Sequence, residues 1–316
     1  MPESYYIDGQ EIKAGKNALV RLNVSRLPSD TLIDINVHVF RSRKSGPTVL
    51  LLGGMHGDEI NGVEIVRRAV RSKSLRKLQK GTIIAIPLLN VYGFNHFSRA
   101  VPDGKDLNRS FPGTASGSLA SRVAHTLSTK ILPLIDIGLD FHTGGNTIHN
   151  SPQTRVTIDD ERGIEIAKVF GAPMMLQNQT ISKSMRRHAV KNGKSIVVFE
   201  GGESMRIDDR SIAVGLQGIR NVLEHLEMLP ALTEEKNRTK SLVFTNSKWL
   251  RAPRAGIFSL HKLAGQEVKK GEVLGEINRL EGKKPLKVSA PFDCHLFSHV
   301  NNPVVSRGDA LFHLVF

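Results

Sequence analysis

The segment Thr48-Val-Leu-Leu-Leu52 is apolar almost throughout and ends at Gly53-Gly54. A continuous apolar run without alternation suits a strand covered on both faces, as in the middle of an α/β sheet. Residues 82–88 and Ile135 to Phe141 read the same way, and 173–176 and 195–199 are further strand candidates. Between them apolar residues recur at helical spacing: from Glu59 to about Val70, from about Leu119 to Leu132, over 161–170 and over 211–227. The last of these opens in a cap region around Asp209 and Ser211. Upstream, residues 18–24 and 33–40 alternate apolar with polar, the period of half-buried strands. Strands alternating with helices to about residue 230 predict an α/β fold, with a mixed, mostly parallel sheet flanked by helices.

The pattern changes at residues 232–240, a polar, linker-like stretch after which helical periods stop. The expected division is therefore an α/β unit at 1–235 and a small β-barrel or sandwich at 243–316. Within that tail Val268, Gly271 and Leu274 recur 37 residues later as Val305, Gly308 and Leu311. Glycines at such spacing fit tight turns between short strands. Through Ala290-Pro-Phe-Asp293 and the glycine-bounded stretch 265–271, the tail resembles a biotinyl/lipoyl-carrier β domain. The region Leu280-Glu-Gly-Lys-Lys284 lacks the two methionines that flank that family's modified lysine, so the resemblance implies the fold and not the modification.

A formal net charge of +14 raises nucleic acid, anionic membranes and acidic small molecules as partners. Lys and Arg are spread along the chain, and the densest stretch, Arg67 to Lys80, continues a helical period as its solvated face and end. Aromatic residues make up only 5% of the chain, with Trp249 the single tryptophan, which argues against base-stacking platforms. No nucleic-acid partner is expected. The single cysteine, Cys294, excludes an internal disulfide and lies in an alternating stretch that suits a buried thiol. Met1 to Gln10 lacks an apolar signal core, and no run approaches the roughly 20 apolar residues of a spanning helix. The expectation is a cytoplasmic protein without a membrane partner. The sequence leaves a homo-oligomer open.

Chemistry gathers where the apolar runs stop. Gly53-Gly-Met-His-Gly-Asp-Glu59 sets His56 and Glu59 three residues apart on a turn entering a helix, so that both can point the same way. Imidazole and carboxylate are zinc ligands, and a catalytic site needs a third protein ligand and an open position. Glu59 alone could simply favour the first turn of a helix. The run ending Leu139-Asp-Phe-His-Thr-Gly-Gly145 offers His142 as third ligand, with Asp140 on the same strand face to orient its ring. In Asp106-Leu-Asn-Arg-Ser-Phe-Pro-Gly113, Asn108 and Arg109 suit recognition of a carboxylate, with Arg99 upstream. Ile196-Val-Val-Phe-Glu-Gly-Gly202 delivers Glu200 at a strand end, where a general base or a surface turn residue are both open.

Together, Gly-Gly-x-His-Gly-x-Glu, Asp-Leu-Asn-Arg-x-Phe-Pro-Gly, Asp-x-His and the late glutamate resemble the zinc carboxypeptidase superfamily. The likeness is nearest its succinylglutamate desuccinylase/aspartoacylase branch, over about residues 45–230. The resemblance implies one zinc per chain on His56, Glu59 and His142, and Glu200 as base, with Glu203 as its near rival. Arg99 would polarise the scissile carbonyl, and Asn108 and Arg109 would hold the carboxylate of a small anionic N-acyl amino acid. The implied activity is hydrolysis of an N-acyl amide. A zinc carboxypeptidase or an esterase would use the same chemistry, and a non-enzymatic basic binding module is the alternative outside that class.

Overall fold

The structure is a computed structural model that describes residues 5–26, 30, 32–231, 239–282 and 284–316. A two-strand ladder, β1 (Tyr6–Ile7) with β2 (Gln10–Glu11), precedes an antiparallel pair, β3 (Asn17–Arg26) and β4 (Leu32–Arg41). The α/β part follows as β5 (Thr48–Gly53), α1 (Ile60–Arg71), β6 (Thr82–Ile86), α2 (Val91–Asn95), α3 (Leu119–Lys130) and β7 (Ile137–Gly144). It continues with β8 (Ile148–Thr157), α4 (Glu161–Phe170), β9 (Met174–Asn178), α5 (Met185–Lys191), β10 (Ser195–Glu203) and α6 (Asp209–His225).

At the centre, β6, β5, β7 and β10 run parallel, and their side chains alternate between two cores. Leu50, Leu52, Ile84, Ile86 and Ile196 face α3 and α5 on one side. Val49, Leu51, Leu139, Phe141, Val197 and Phe199 face α1, α4 and α6 on the other. This double covering is why the runs are apolar at every position rather than at every second one.

Parallel pairing is less general than expected. The flanking pairs β3–β4, β4–β6 and β8–β10 are antiparallel, and parallel pairing returns at β8–β9. The unexpected element is β8. Its sequence, Ile-His-Asn-Ser-Pro-Gln-Thr-Arg-Val-Thr, has neither strand alternation nor an apolar run, and a proline argues against a central strand. Pro152 is tolerated because it sits at a seam. Residues 148–150 pair with a tail strand, residues 153–157 pair with β9, and on the other side the register with β10 shifts between Glu200 and Gly202. Its missing N–H falls where the ladder is already interrupted.

The tail comprises β11 (Leu242–Phe244), β12 (Ser247–Arg251), β13 (Gly256–Leu260), β14 (Glu267–Val268) and β15 (Val273–Asn278), then β16 (Leu286–Ser289), β17 (Cys294–Val300), β18 (Val304–Val305) and β19 (Ala310–Val315). Strands β16, β15, β13 and β18 form one antiparallel sheet. The others join the main sheet: β17 pairs with β8, β19 with β17, β12 with β19, β14 with β17 and β11 with β9. A separate core between the two layers contains Phe258, Val268, Leu274, Val305 and Leu311, four of them members of the 37-residue repeat. Gly271 and Gly308 have φ of 85° and 95° with no neighbour near a Cβ, so backbone conformation and not crowding requires glycine there. Cys294 is buried, and its thiol is pushed up to about 11 by that burial and by Asp293. The linker-like stretch lies largely in 232–238, and Lys283 of the lysine pair is also outside the described residues. Among the described residues no helix is long and apolar enough to cross a membrane.

Candidate metal and catalytic site

His56 lies on the turn after β5 and His142 near the end of β7. These are the carboxyl ends of two neighbouring parallel strands whose connections diverge to opposite sides of the sheet, the position where open α/β sheets bind ligands. Glu59 occupies the N-cap position of α1, but its carboxylate caps no backbone group of that helix. It instead bridges the two imidazoles, with Oε1 2.7 Å from His56 Nδ1 and Oε2 2.7 Å from His142 Nδ1. The remaining ring nitrogens are each anchored by a carboxylate: His56 Nε2 is 3.1 Å from Asp106 Oδ1, and His142 Nε2 is 2.9 Å from Asp140 Oδ2. All three side chains are buried, and their ligand atoms lie within 4.8 Å of one another.

The electrostatics follow from this packing. Burial opposes ionisation of Glu59, but His56 and His142 together outweigh it and hold the carboxyl well below its usual range. Burial also works against a charge on His142, and Asp140 with Glu59 reverses it, lifting the imidazole well above its ordinary value. Asp106 is buried enough to resist ionisation, yet His56 and Arg99 hold it low. Arg99 joins both sides, donating from Nη1 to Glu59 at 2.9 Å and from Nη2 to Asp106 at 3.0 Å. A compact cage of two imidazoles and a carboxylate, backed by two further carboxylates, has the donor set and the outer hydrogen bonds of a zinc site.

The approach of α1 to β7 depends on Gly62. A Cβ there would lie 2.2 Å from the Phe141 carbonyl oxygen, one residue before His142 and three after Glu59. Gly62→Ala is expected to push the helix off the strand at a cost of about 1–3 kcal/mol and to part Glu59 from His142. Thermal melting and a competitive chelator titration check this, with lower stability and weaker metal retention expected together. Asn61, beside it, donates to the Gly201 carbonyl and accepts from the Asp208 N–H, tying α1 to the end of β10.

A cavity of about 220 Å³ opens over the cage, and the predicted residues Arg99, Asn108, Arg109 and Glu200 all line it with His56, Glu59 and His142. Asn108 is fixed by accepting the Met185 N–H through Oδ1 at 2.9 Å, whereas Arg109 is exposed and its guanidinium donates to the Asn108 carbonyl. Glu200 accepts from Asn150 Nδ2 at 2.8 Å and faces Arg155 Nε at 3.8 Å. Its rival Glu203 turns toward the tail, where Asn301 Nδ2 donates to it at 2.7 Å.

Asn150, Arg155, Arg186 and the anchoring role of Asp106 were not expected. Asn150 and Arg155 sit on β8, which carries no strand signature. Arg186, buried on α5, donates to Asn178 at 3.0 Å, and burial with neighbouring Arg155 pushes it down to about 10. Asp106 stood inside the Asp-Leu-Asn-Arg motif, so its presence was visible although its partner was not.

Residues 45–226 match the succinylglutamate desuccinylase/aspartoacylase catalytic domain, and the chain belongs to that family. It is 28% identical over 281 residues to an N-alpha-acetyl-L-2,4-diaminobutyric acid deacetylase of Halomonas elongata, covering 85% of this chain and 82% of that one. The crystal structure of a succinylglutamate desuccinylase/aspartoacylase from Rhodobacter sphaeroides superposes with a TM-score of 0.84 at 29% identity, over 95% of both chains. The product-bound ectoine utilization protein EutE (DoeB) of Ruegeria pomeroyi gives 0.83 at 25% identity, over 95% of this chain and 94% of that one.

Proposed function

We propose that this chain is a zinc-dependent deacylase that hydrolyses the amide of a small, carboxylate-bearing N-acyl amino acid. The observation that carries the reading is the Glu59 carboxylate set between the Nδ1 atoms of His56 and His142, with Glu200 on the same cavity. The relative from Halomonas elongata is by name a deacetylase of an N-acetylated amino acid, which supports the same substrate class.

His56, Glu59 and His142 would hold the ion. Zinc, when bound, acts as a Lewis acid and lowers the pKa of water toward about 7. Asp106 and Asp140 keep the two imidazoles in orientation through their far nitrogens. Glu200, steadied by Asn150, takes the proton of the attacking water as the new C–O bond forms. It returns that proton to the amine nitrogen as the C–N bond breaks, leaving a carboxylate and an amine. Arg99 presents its guanidinium to the carbonyl oxygen, where negative charge develops. Asn108 and Arg109 hold the substrate carboxylate, and Arg155 and Arg186 add positive potential to the cavity. In the same proposal residues 1–235 are the catalytic unit and 243–316 a small β unit docked on its sheet.

The test is a panel of N-acetyl and N-succinyl amino acids assayed with zinc beside C-terminal peptides and simple esters. Amine release confined to the N-acyl amino acids is expected. Faster cleavage of peptides would replace the reading with that of a carboxypeptidase.

A further inference from the structure

One wall of the cavity comes from the tail. Trp249, the only tryptophan of the chain, lies on β12 and lines the same cavity as His56 and Glu200. Pairing across five strands places it in one row: Trp249 opposite His313, His313 opposite Ser298, Ser298 opposite Asn150 and Asn150 opposite Gly202. Directly paired residues present their side chains on the same face of a sheet. Trp249 therefore shares its face with Asn150, the residue that holds Glu200, at about 14 Å given three inter-strand spacings.

The indole is held by ring contacts. It stacks on the His313 imidazole at 4.5 Å and 8°, and His313 meets Phe297 edge-on at 5.5 Å. The Arg155 guanidinium lies 5.5 Å above the Phe297 ring. Burial and then Arg155 push His313 down to about 3, so the stacked imidazole is neutral near pH 7. Trp249 itself is 36% exposed, and among the described residues no strand pairs with the other side of β12. One indole face is covered by His313, and Trp249 is among the residues that line the cavity. Most of the remaining lining is charged or polar, and a flat apolar surface among such groups suits an alkyl segment that those groups cannot solvate well.

We propose that Trp249 is a specificity-determining residue through which the tail contacts the alkyl portion of the substrate's acyl group and limits its length. This rests on the deacylase reading for the identity of the ligand, but not for the location of the contact. Because Trp249 is the sole tryptophan, its emission reports occupation of the cavity directly.

The experiment uses the full chain loaded with zinc and N-acetyl, N-butyryl and N-succinyl amino acids. Binding is followed by tryptophan emission and by calorimetry, and turnover by amine release. Ligand is expected to shift the emission in wild type and in the Glu200→Gln protein, which does not turn over. Trp249→Ala is expected to raise KM for the best substrate about tenfold with little change in kcat, and to move preference toward longer acyl groups. Trp249→Phe, which keeps an apolar ring, should recover most of that loss, and melting curves separate a merely destabilised variant from one that has lost a contact. Emission that stays constant while calorimetry shows saturation would overturn the proposal. So would a Trp249→Ala protein with unchanged KM and acyl-length preference. If calorimetric binding shifts the emission but no compound is hydrolysed, the contact stands and the deacylase reading fails.

Discussion

Glu200→Gln is expected to abolish most turnover, by about 10²–10⁴-fold, while zinc content and substrate affinity stay near those of wild type. Glutamine fills the same volume, and its carbonyl oxygen can accept the hydrogen bond that Asn150 Nδ2 gives to Glu200 at 2.8 Å. What is lost is the capacity to take a proton from water and return it to the amine. The loss should therefore appear in kcat and not in KM. Glu203→Gln is the control. Its carboxylate accepts from Asn301 Nδ2 and lies 3.6 Å from Arg206, so its replacement should be felt in stability more than in rate. Steady-state kinetics with elemental analysis on both proteins check the pair. A Glu200→Gln protein of near wild-type rate, or a Glu203→Gln protein that is inactive yet folded, would move the base to another residue.

His142→Ala should remove both the metal and the activity, and should also destabilise the fold before any metal is added. The imidazole separates two buried carboxylates, at 2.7 Å from Glu59 and 2.9 Å from Asp140. Without it Asp140 loses its cationic partner, while Glu59 keeps His56 and Arg99, and breaking a buried pair in this way costs about 3–5 kcal/mol. Wild-type protein should melt at a higher temperature with zinc than after chelation, because a ligand bound only to the native state adds stability by mass action. The variant should melt low in both conditions. Elemental analysis gives the decisive number: about one zinc per wild-type chain is expected, and its retention by the variant would remove His142 from the ligand set. Asp140→Asn, which keeps the volume and removes the charge, should weaken the metal about 10–100-fold and leave the fold standing.

The central strands were legible because burial on both faces demands apolar residues at every position. Val49 to Leu52 and Ile83 to Ile86 meet that demand without exception. The helices were legible from their period, and α1 and α6 begin within a few residues of where spacing placed them. β8 was not legible. Its buried residues include the polar Asn150, Ser151, Gln153 and Thr154, and Asn150 donates to Glu200, fifty residues away. No local rule distinguishes such a strand from a loop.

The site divides along the same line. Local sequence determined that His56 and Glu59 share a turn, and that His142 and Asp140 share a strand face, because three-residue and two-residue spacings have fixed directions on those elements. It also showed that each histidine stands where an apolar run ends. Only the tertiary structure decided that one carboxylate bridges both imidazoles and that Asp106, fifty residues from His56, holds its far nitrogen. The same holds for which of Glu200 and Glu203 lines the cavity and for the arrival of Trp249 from the tail. These depend on which strands lie side by side, and hydrogen bonding between strands carries no trace in the spacing of residues within any one of them.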